Sequence, residues 1–156
     1  MHKVLLSAAA VALAACSYKM QQPFDPAAYD AFKGTGTGSV AGQAFLRQQG
    51  GGVVTCAGAK VMALPTTAYT TELIEAGKYR SRFDLGDPQA QPVLTAVKKE
   101  GICDAQGNFK LTGLKPGNWI VFTEVSWSVG YNAQGGLVSA PVAIVDGQTA
   151  NVIISR

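Results

Sequence analysis

Three cysteines carry most of the reactive chemistry that this chain of 156 residues offers. Cys16 ends an N-terminal stretch in which a basic start is followed by an apolar run over residues 4–13 and then by Ala14 and Ala15. A basic start, a short apolar run and small residues behind it are typical of a secretory signal peptide, and the run is too short to span a bilayer. We therefore predict export, with cleavage beside Cys16.

Residues 13–16, Leu-Ala-Ala-Cys, resemble the lipobox of bacterial lipoproteins, where a signal peptidase cuts before the cysteine and the thiol takes a diacylglycerol. The resemblance implies a signal peptide over 1–15 and a diacylglycerol and an N-acyl chain on Cys16, which together give a stable membrane anchor. Because Ser17 and not Asp follows, it also implies the outer membrane, on a face that the sequence does not specify. The alternative is ordinary cleavage near Ala15, with the cysteine unmodified.

The other two cysteines, Cys56 and Cys103, would be the thiols left after lipidation. An exported compartment is oxidising, so we predict that they form a disulfide, the alternative being two buried free thiols. In the chain-entropy model a loop of this length stabilises the fold by roughly 4 kcal/mol. Two cysteines without histidine make a poor metal site, and none is predicted.

The single histidine and the small net charge exclude several functional classes. The chain has a single histidine, His2, so the mature protein would have none, which excludes Ser-His-Asp and Cys-His catalysis. A formal charge of +2 without the leader gives no drive toward nucleic acid. No spacing selects a catalytic pair among the candidate carboxylates, so we predict no enzyme and no cofactor. These carboxylates are Glu72, Glu75, Asp84, Asp87 and Glu124.

The chain contains 18 glycines and seven prolines, and they separate short runs rich in β-branched residues. This pattern is typical of short strands joined by turns, which would position the cysteines and the candidate carboxylates. One helix is predicted over 66–77, a strand over 78–85 and a loop over 87–92. The other strands are predicted over 40–46, 53–56, 59–64, 94–98, 109–111, 119–129, 137–145 and 148–155. This pattern predicts an all-β domain, an antiparallel sandwich of seven to eight strands with one short helical insert.

The domain is predicted over 40–156, and a lipid-anchored tether over 16–39. Prolines and the glycine-rich run 34–38 are typical of a linker, interrupted by one helical turn after Asp25 and Pro26. The tether would hold the domain off the membrane.

Two stretches resemble carboxypeptidase regulatory-like domains. Residues 57–64, Ala-Gly-Ala-Lys-Val-Met-Ala-Leu, match a strand of that family. Residues 104–119 match its turn of type Asp-x-x-Gly-x-Phe, which leads to Leu-x-Pro-Gly-x-aromatic. The resemblance implies a prealbumin-like (transthyretin-like), Ig-like sandwich with a long insert over 66–92, and a role as an accessory, adhesion or structural module.

Two groups of side chains are candidates for binding. Trp127 and Tyr131 lie near a strand end, where exposed rings could stack on a sugar, although aromatic residues on an apolar strand face are usually core. A basic stripe is formed by Lys78, Arg80 and Arg82. It could bind anionic lipid or an acidic partner, or it could be a solvent-exposed face of the sheet with no binding role.

The sequence therefore predicts an outer-membrane lipoprotein that acts as a non-catalytic binding or structural accessory module of the cell envelope. Its partner would be an envelope protein, contacted through the insert, since insertions on a rigid sandwich carry specificity. The alternative is a carbohydrate-binding module that uses Trp127 and Tyr131.

Overall fold

The computed structural model describes residues 18–79 and 83–156, in which ten strands, two α-helices and one 3₁₀ helix lie. The strands are β1 (Tyr18–Lys19), β2 (Gly38–Arg47), β3 (Val53–Thr55), β4 (Lys60–Pro65), β5 (Phe83–Asp84), β6 (Lys99–Ile102), β7 (Asn108–Leu114), β8 (Gly117–Val129), β9 (Asn132–Ile144) and β10 (Thr149–Ile154). The helices are α1 (Ala68–Gly77), α2 (Ala90–Val97) and the 3₁₀ helix (Pro26–Phe32).

Two four-stranded sheets form a β-sandwich, which confirms the predicted fold class. In the first sheet, β2 pairs antiparallel with β3 and β7 and parallel with β10. In the second sheet the order is β6-β4-β8-β9, and every pair is antiparallel. The parallel β2–β10 pair departs from the prediction. It joins the first and last long strands of the domain, so the intervening chain supplies the crossover that parallel pairing needs.

Alternate residues of the facing strands fill the space between the sheets. Trp119, Val121 and Val125 of β8 are fully buried there, together with Leu111 of β7. Their spacing of two residues is the period of a strand, so the other β8 side chains point away from this core.

A second core covers the outer face of the second sheet. Ile120 and Phe122 of β8 point to this side and pack with Leu94 of α2 and Ile74 of α1. Because both faces of β8 are covered, residues 119–123 are buried without interruption. Helices α1 and α2 thus form a structural layer over the sheet.

Helix α1 ends at Gly77 as predicted, and it begins at Ala68, two residues after the predicted start, with Thr67 as its N-cap. The Thr67 side chain accepts from the Thr70 amide, and the Thr70 side chain accepts from the Thr67 amide, which forms a capping box. These bonds satisfy two amides that would otherwise lack partners at the start of the helix.

The predicted loop over 87–92 and strand over 94–98 are wrong, because α2 occupies most of this range. Ala90, Leu94 and Val97 are buried at helical spacing. Pro92 lies in the first turn, where a missing amide proton costs nothing, so it does not stop the helix. The chain therefore forms a second helix here, most of which lies beyond the predicted insert over 66–92.

The prediction of a strand over 78–85 is also incorrect as far as the structure describes that range. Lys78 is the C-cap of α1 with helical backbone angles, and only Phe83–Asp84 is strand. The helix therefore continues to the point where the predicted strand would begin.

The described part of the predicted tether, from Tyr18 onward, packs against the sandwich. Tyr29 is fully buried in the second core and hydrogen-bonds Thr67 at 2.8 Å, and burial raises its pKa. The predicted helical turn is present as the 3₁₀ helix, with Asp25 as its N-cap. Most of this segment thus belongs to the folded unit, although the division into signal peptide, tether and domain stays a prediction.

Candidate ligand-binding cleft

Trp127 lies near the end of β8, eight residues after Trp119 and therefore on the same strand face. Trp119 is fully buried, but Trp127 is only partly buried. It packs against the inter-sheet core and also lines an open cleft of about 670 Å³. The prediction that Trp127 could present an exposed surface is consistent with this position.

Three parts of the chain form this cleft, which we call the Trp127 cleft. They are the end of β2 with the turn that follows it, the β8–β9 hairpin, and Arg156 after β10. The lining residues are Leu46, Arg47, Gln48, Gln49, Trp127, Val129, Gln134, Gly135 and Arg156. The cleft thus lies where the two sheets end together.

Gly135 lines the Trp127 cleft, and we call its backbone the floor. Its φ of +102° favours glycine, and a Cβ here would overlap the carbonyl oxygen of Val125. The Arg156 Nη2 group donates to the Gly135 carbonyl oxygen at 3.2 Å, which fixes the guanidinium beside the floor. A side chain at position 135 would therefore disturb both the strand pair and this contact.

The lining combines one indole with two guanidinium groups and three amides, and contains no carboxylate side chain. Amides offer both donors and acceptors, and guanidinium groups offer donors in a planar fork. An aromatic surface with a few polar groups around it is typical of a site for a small polar molecule.

Tyr131 lies outside the Trp127 cleft. It is at the tip of the β8–β9 hairpin, and its side chain is fully exposed. The structure therefore places the two predicted stacking residues on one hairpin without bringing them into one site.

Sequence reasoning missed Arg47, Gln48, Gln49, Gln134 and Arg156 as site residues. Arg47 ends β2, Gln48 and Gln49 belong to the polar turn that follows, and Gln134 is paired with Trp127 across the β8–β9 hairpin. Alternation along that hairpin could have indicated Gln134, but no local signal links the distant segments.

Of the three residues of the predicted basic stripe, the structure describes Lys78 alone. Lys78 forms an ion pair with Glu75 at 2.6 Å, within the last turn of α1. Arg80 and Arg82 lie outside the described residues, so a binding role for the stripe stays a prediction.

The disulfide between Cys56 and Cys103 is present, as predicted. Cys56 follows β3 of the first sheet and Cys103 follows β6 of the second, so the bond links the two sheets across a separation of 47 residues. Cys16 lies outside the described residues.

Several of the candidate carboxylates have structural partners. Glu72 accepts hydrogen bonds from the Tyr18 hydroxyl and from the backbone amides of Gln21 and Gln22. Desolvation raises its pKa, but these hydrogen bonds outweigh it and hold the pKa below the usual value. Asp87 accepts from the Gln89 amide at the start of α2.

Within the described residues, no group of three or more His, Cys, Asp or Glu side chains could hold a metal ion. None of the helices in residues 18–79 and 83–156 has both the length and the apolar character needed to cross a bilayer.

No protein-family model matches this sequence, and no curated protein matches it either. Among solved structures, a Pseudomonas aeruginosa protein described as "a putative carbohydrate binding protein" has 22% sequence identity and a TM-score of 0.73. The match covers 86% of this chain and 99% of that protein. At this identity the similarity establishes the β-sandwich fold alone.

A second solved structure, the minor pilin GBS52 of Streptococcus agalactiae, has 19% identity and a TM-score of 0.40. The match covers 78% of this chain and 44% of the pilin, and a similarity this low carries no argument. Membership of the carboxypeptidase regulatory-like family therefore stays a prediction.

Proposed function

We propose that the protein is a non-catalytic, lipid-anchored binding module of the cell envelope that binds a saccharide in the Trp127 cleft. The observation that carries the proposal is the partly exposed Trp127 ring beside three amides and two guanidinium groups. The proposal takes up the carbohydrate-binding alternative and moves its site from the Trp127–Tyr131 pair to the Trp127 cleft.

Sugar chemistry fits this set of groups. A pyranose ring has an apolar C–H face and a rim of hydroxyl groups. The indole of Trp127 can pack on the apolar face, since tryptophan offers a large flat surface at low entropic cost. Gln48, Gln49 and Gln134 can donate to and accept from the hydroxyl groups.

The β-sandwich similar to this chain supports the proposal in one respect, because its description refers to carbohydrate binding. Tyr131 supports it in another, because an exposed ring at the hairpin tip offers a second stacking surface to a longer saccharide.

The insert over 66–92 offers less support for protein binding than the sequence suggests. Its buried side chains, Tyr69, Ile74 and Ala90 among them, pack in the second core, which covers the second sheet. Contact of the insert with an envelope protein therefore stays a prediction, and we place ligand binding in the Trp127 cleft.

Saccharide binding is tested with the exported full-length protein, solubilised in detergent, on an array of neutral and acidic glycans. We expect the wild type to retain at least one glycan and the Trp127→Ala variant to lose it. Tyr79→Ala is the matched control, because it removes an exposed ring that does not line the cleft. The proposal is wrong if the wild type retains no glycan, or if the Trp127→Ala variant binds as well as the wild type.

Lipid anchoring is tested by growing a Gram-negative host with labelled palmitate. The proposal expects label in the wild type, none in Cys16→Ala, and recovery of the wild type with the outer membrane after gradient fractionation. Label in both proteins, or in neither, would contradict the anchor.

A further inference from the structure

We infer that the saccharide bound in the Trp127 cleft is acidic, with a carboxylate on its sugar ring, as in a uronic acid. The inference rests on the proposed function and adds the chemical class of the ligand. It follows from the balance of charge in the cleft, where both charged side chains are arginines.

Neither arginine forms an ion pair with another described residue. The ion pairs among the described residues are Lys33–Asp30, Lys78–Glu75 and Lys98–Glu100, so none involves Arg47 or Arg156. Glu124 is three residues from Trp127, so it lies on the opposite face of β8 and does not line the cleft. The side chains of two arginines thus meet in a concave site that no carboxylate side chain of the described residues lines.

The position of Arg156 suits a ligand carboxylate. One nitrogen, Nη2, donates to the Gly135 carbonyl oxygen, which holds the guanidinium at the floor of the cleft. A guanidinium group has five donors in a planar fork, so its other edges remain able to bind a carboxylate with two parallel hydrogen bonds.

Trp127 distinguishes a sugar acid from a simple anion. A small inorganic anion would need only the arginines, whereas an acidic pyranose presents a ring face to the indole and a carboxylate to a guanidinium. The cleft, of about 670 Å³, has room for both contacts.

The test compares a short oligogalacturonate with its methyl ester, which has the same ring and linkage but no charge. We expect isothermal titration to give about tenfold tighter binding of the acid, since hydrogen bonds to charged groups are the stronger kind. Added salt should weaken binding of the acid and leave binding of the ester unchanged.

Arg47→Gln and Arg156→Gln should each weaken binding of the acid more than binding of the ester, and so remove most of the preference for the acid. Lys110→Gln is the matched control, because Lys110 is exposed on β7 and does not line the cleft. Its variant should keep the full preference, since it removes the same charge elsewhere on the first sheet.

The outcomes separate the inference from the proposed function. Equal binding of acid and ester, or a preference that survives both arginine substitutions, overturns the acidic class and leaves saccharide binding standing. Absence of binding to both probes also overturns it, and the glycan array then decides the proposed function on its own. Binding of inorganic phosphate as tight as that of the oligogalacturonate would show that the arginines bind any anion, and would overturn the inference too.

Discussion

Trp119 and Trp127 lie on the same face of one strand, about 26 Å apart at the usual rise per residue, but their surroundings differ. Trp119 is enclosed, with its indole N–H donating to the Lys115 carbonyl oxygen at 2.9 Å and the Phe32 ring packed edge-on at 5.3 Å. Trp127 has the core on one side and an open cleft on the other. Position along the strand, and not residue type, separates a core role from a candidate binding role.

The largest expected effect concerns the enclosed ring. Trp119→Ala should lower the free energy of unfolding by about 3–5 kcal/mol, because it leaves a cavity between the sheets and an unpaired carbonyl. Urea denaturation measures the loss. A loss no larger than that of Trp127→Ala would contradict the contrast between the two rings.

Removal of the disulfide should have the next largest effect. A Cys56→Ser, Cys103→Ser double variant should lose about 2–4 kcal/mol of stability, because the bond closes a long loop between the sheets. The wild type treated with reductant should unfold at the same urea concentration as the double variant. A double variant as stable as the oxidised wild type would show that packing alone holds the two sheets together.

Trp127→Ala should cost about 1–3 kcal/mol in stability, less than Trp119→Ala, because its ring is only partly buried. Saccharide binding should nevertheless disappear. The same denaturation series measures the first effect and glycan binding the second. A loss of stability as large as that of Trp119→Ala would assign Trp127 to the core and weaken its assignment to ligand binding.

The smallest effect is local and involves Glu72, which ties the N-terminal segment to α1. Glu72→Gln should speed amide hydrogen exchange at Gln21 and Gln22, because a neutral amide accepts their hydrogen bonds more weakly. Glu75→Gln is the control, since its exposed carboxylate pairs with Lys78 and not with the N-terminal segment. Faster exchange in both variants would point to a general loosening of α1.

The contact between the Glu72 carboxylate and the amides of Gln21 and Gln22 should depend on pH. The pKa of Glu72 is lowered in the folded protein, so its contribution is complete above the unfolded value of 4.5 and fades as the pH falls through the lower, folded value. Protection of the two amides should accordingly persist at neutral pH and be lost in acid below 4.5. Protection that weakens as the pH rises would contradict this assignment.

The sequence predicts the features that depend on local pattern. The period of two along β8 indicates that Trp119 is core, and the threonine start and glycine end of α1 match the structure. The pairing of Cys56 with Cys103 follows from composition and export.

Features that depend on distant packing are not visible in the pattern. The glycine and proline content suggests a linker before β2, but scattered apolar residues such as Met20 and Tyr29 fold it onto the second sheet. The prediction of a strand over 94–98 is wrong because these residues continue a helix that contains Pro92. The first turn of a helix tolerates proline, so Pro92 does not separate a loop from a strand. The Trp127 cleft joins segments near residues 47, 127 and 156, so only the packed fold reveals it.

The contrast between the two tryptophans can be observed directly, because the chain contains only these two. We would incorporate 5-fluorotryptophan, assign the two fluorine resonances with a Trp127→Phe variant, and titrate a glycan that the array identifies. The account predicts that the Trp127 resonance shifts in a saturable manner while the Trp119 resonance stays in place. A Trp127 resonance that does not move at saturating glycan would contradict the claim that this cleft is the binding site.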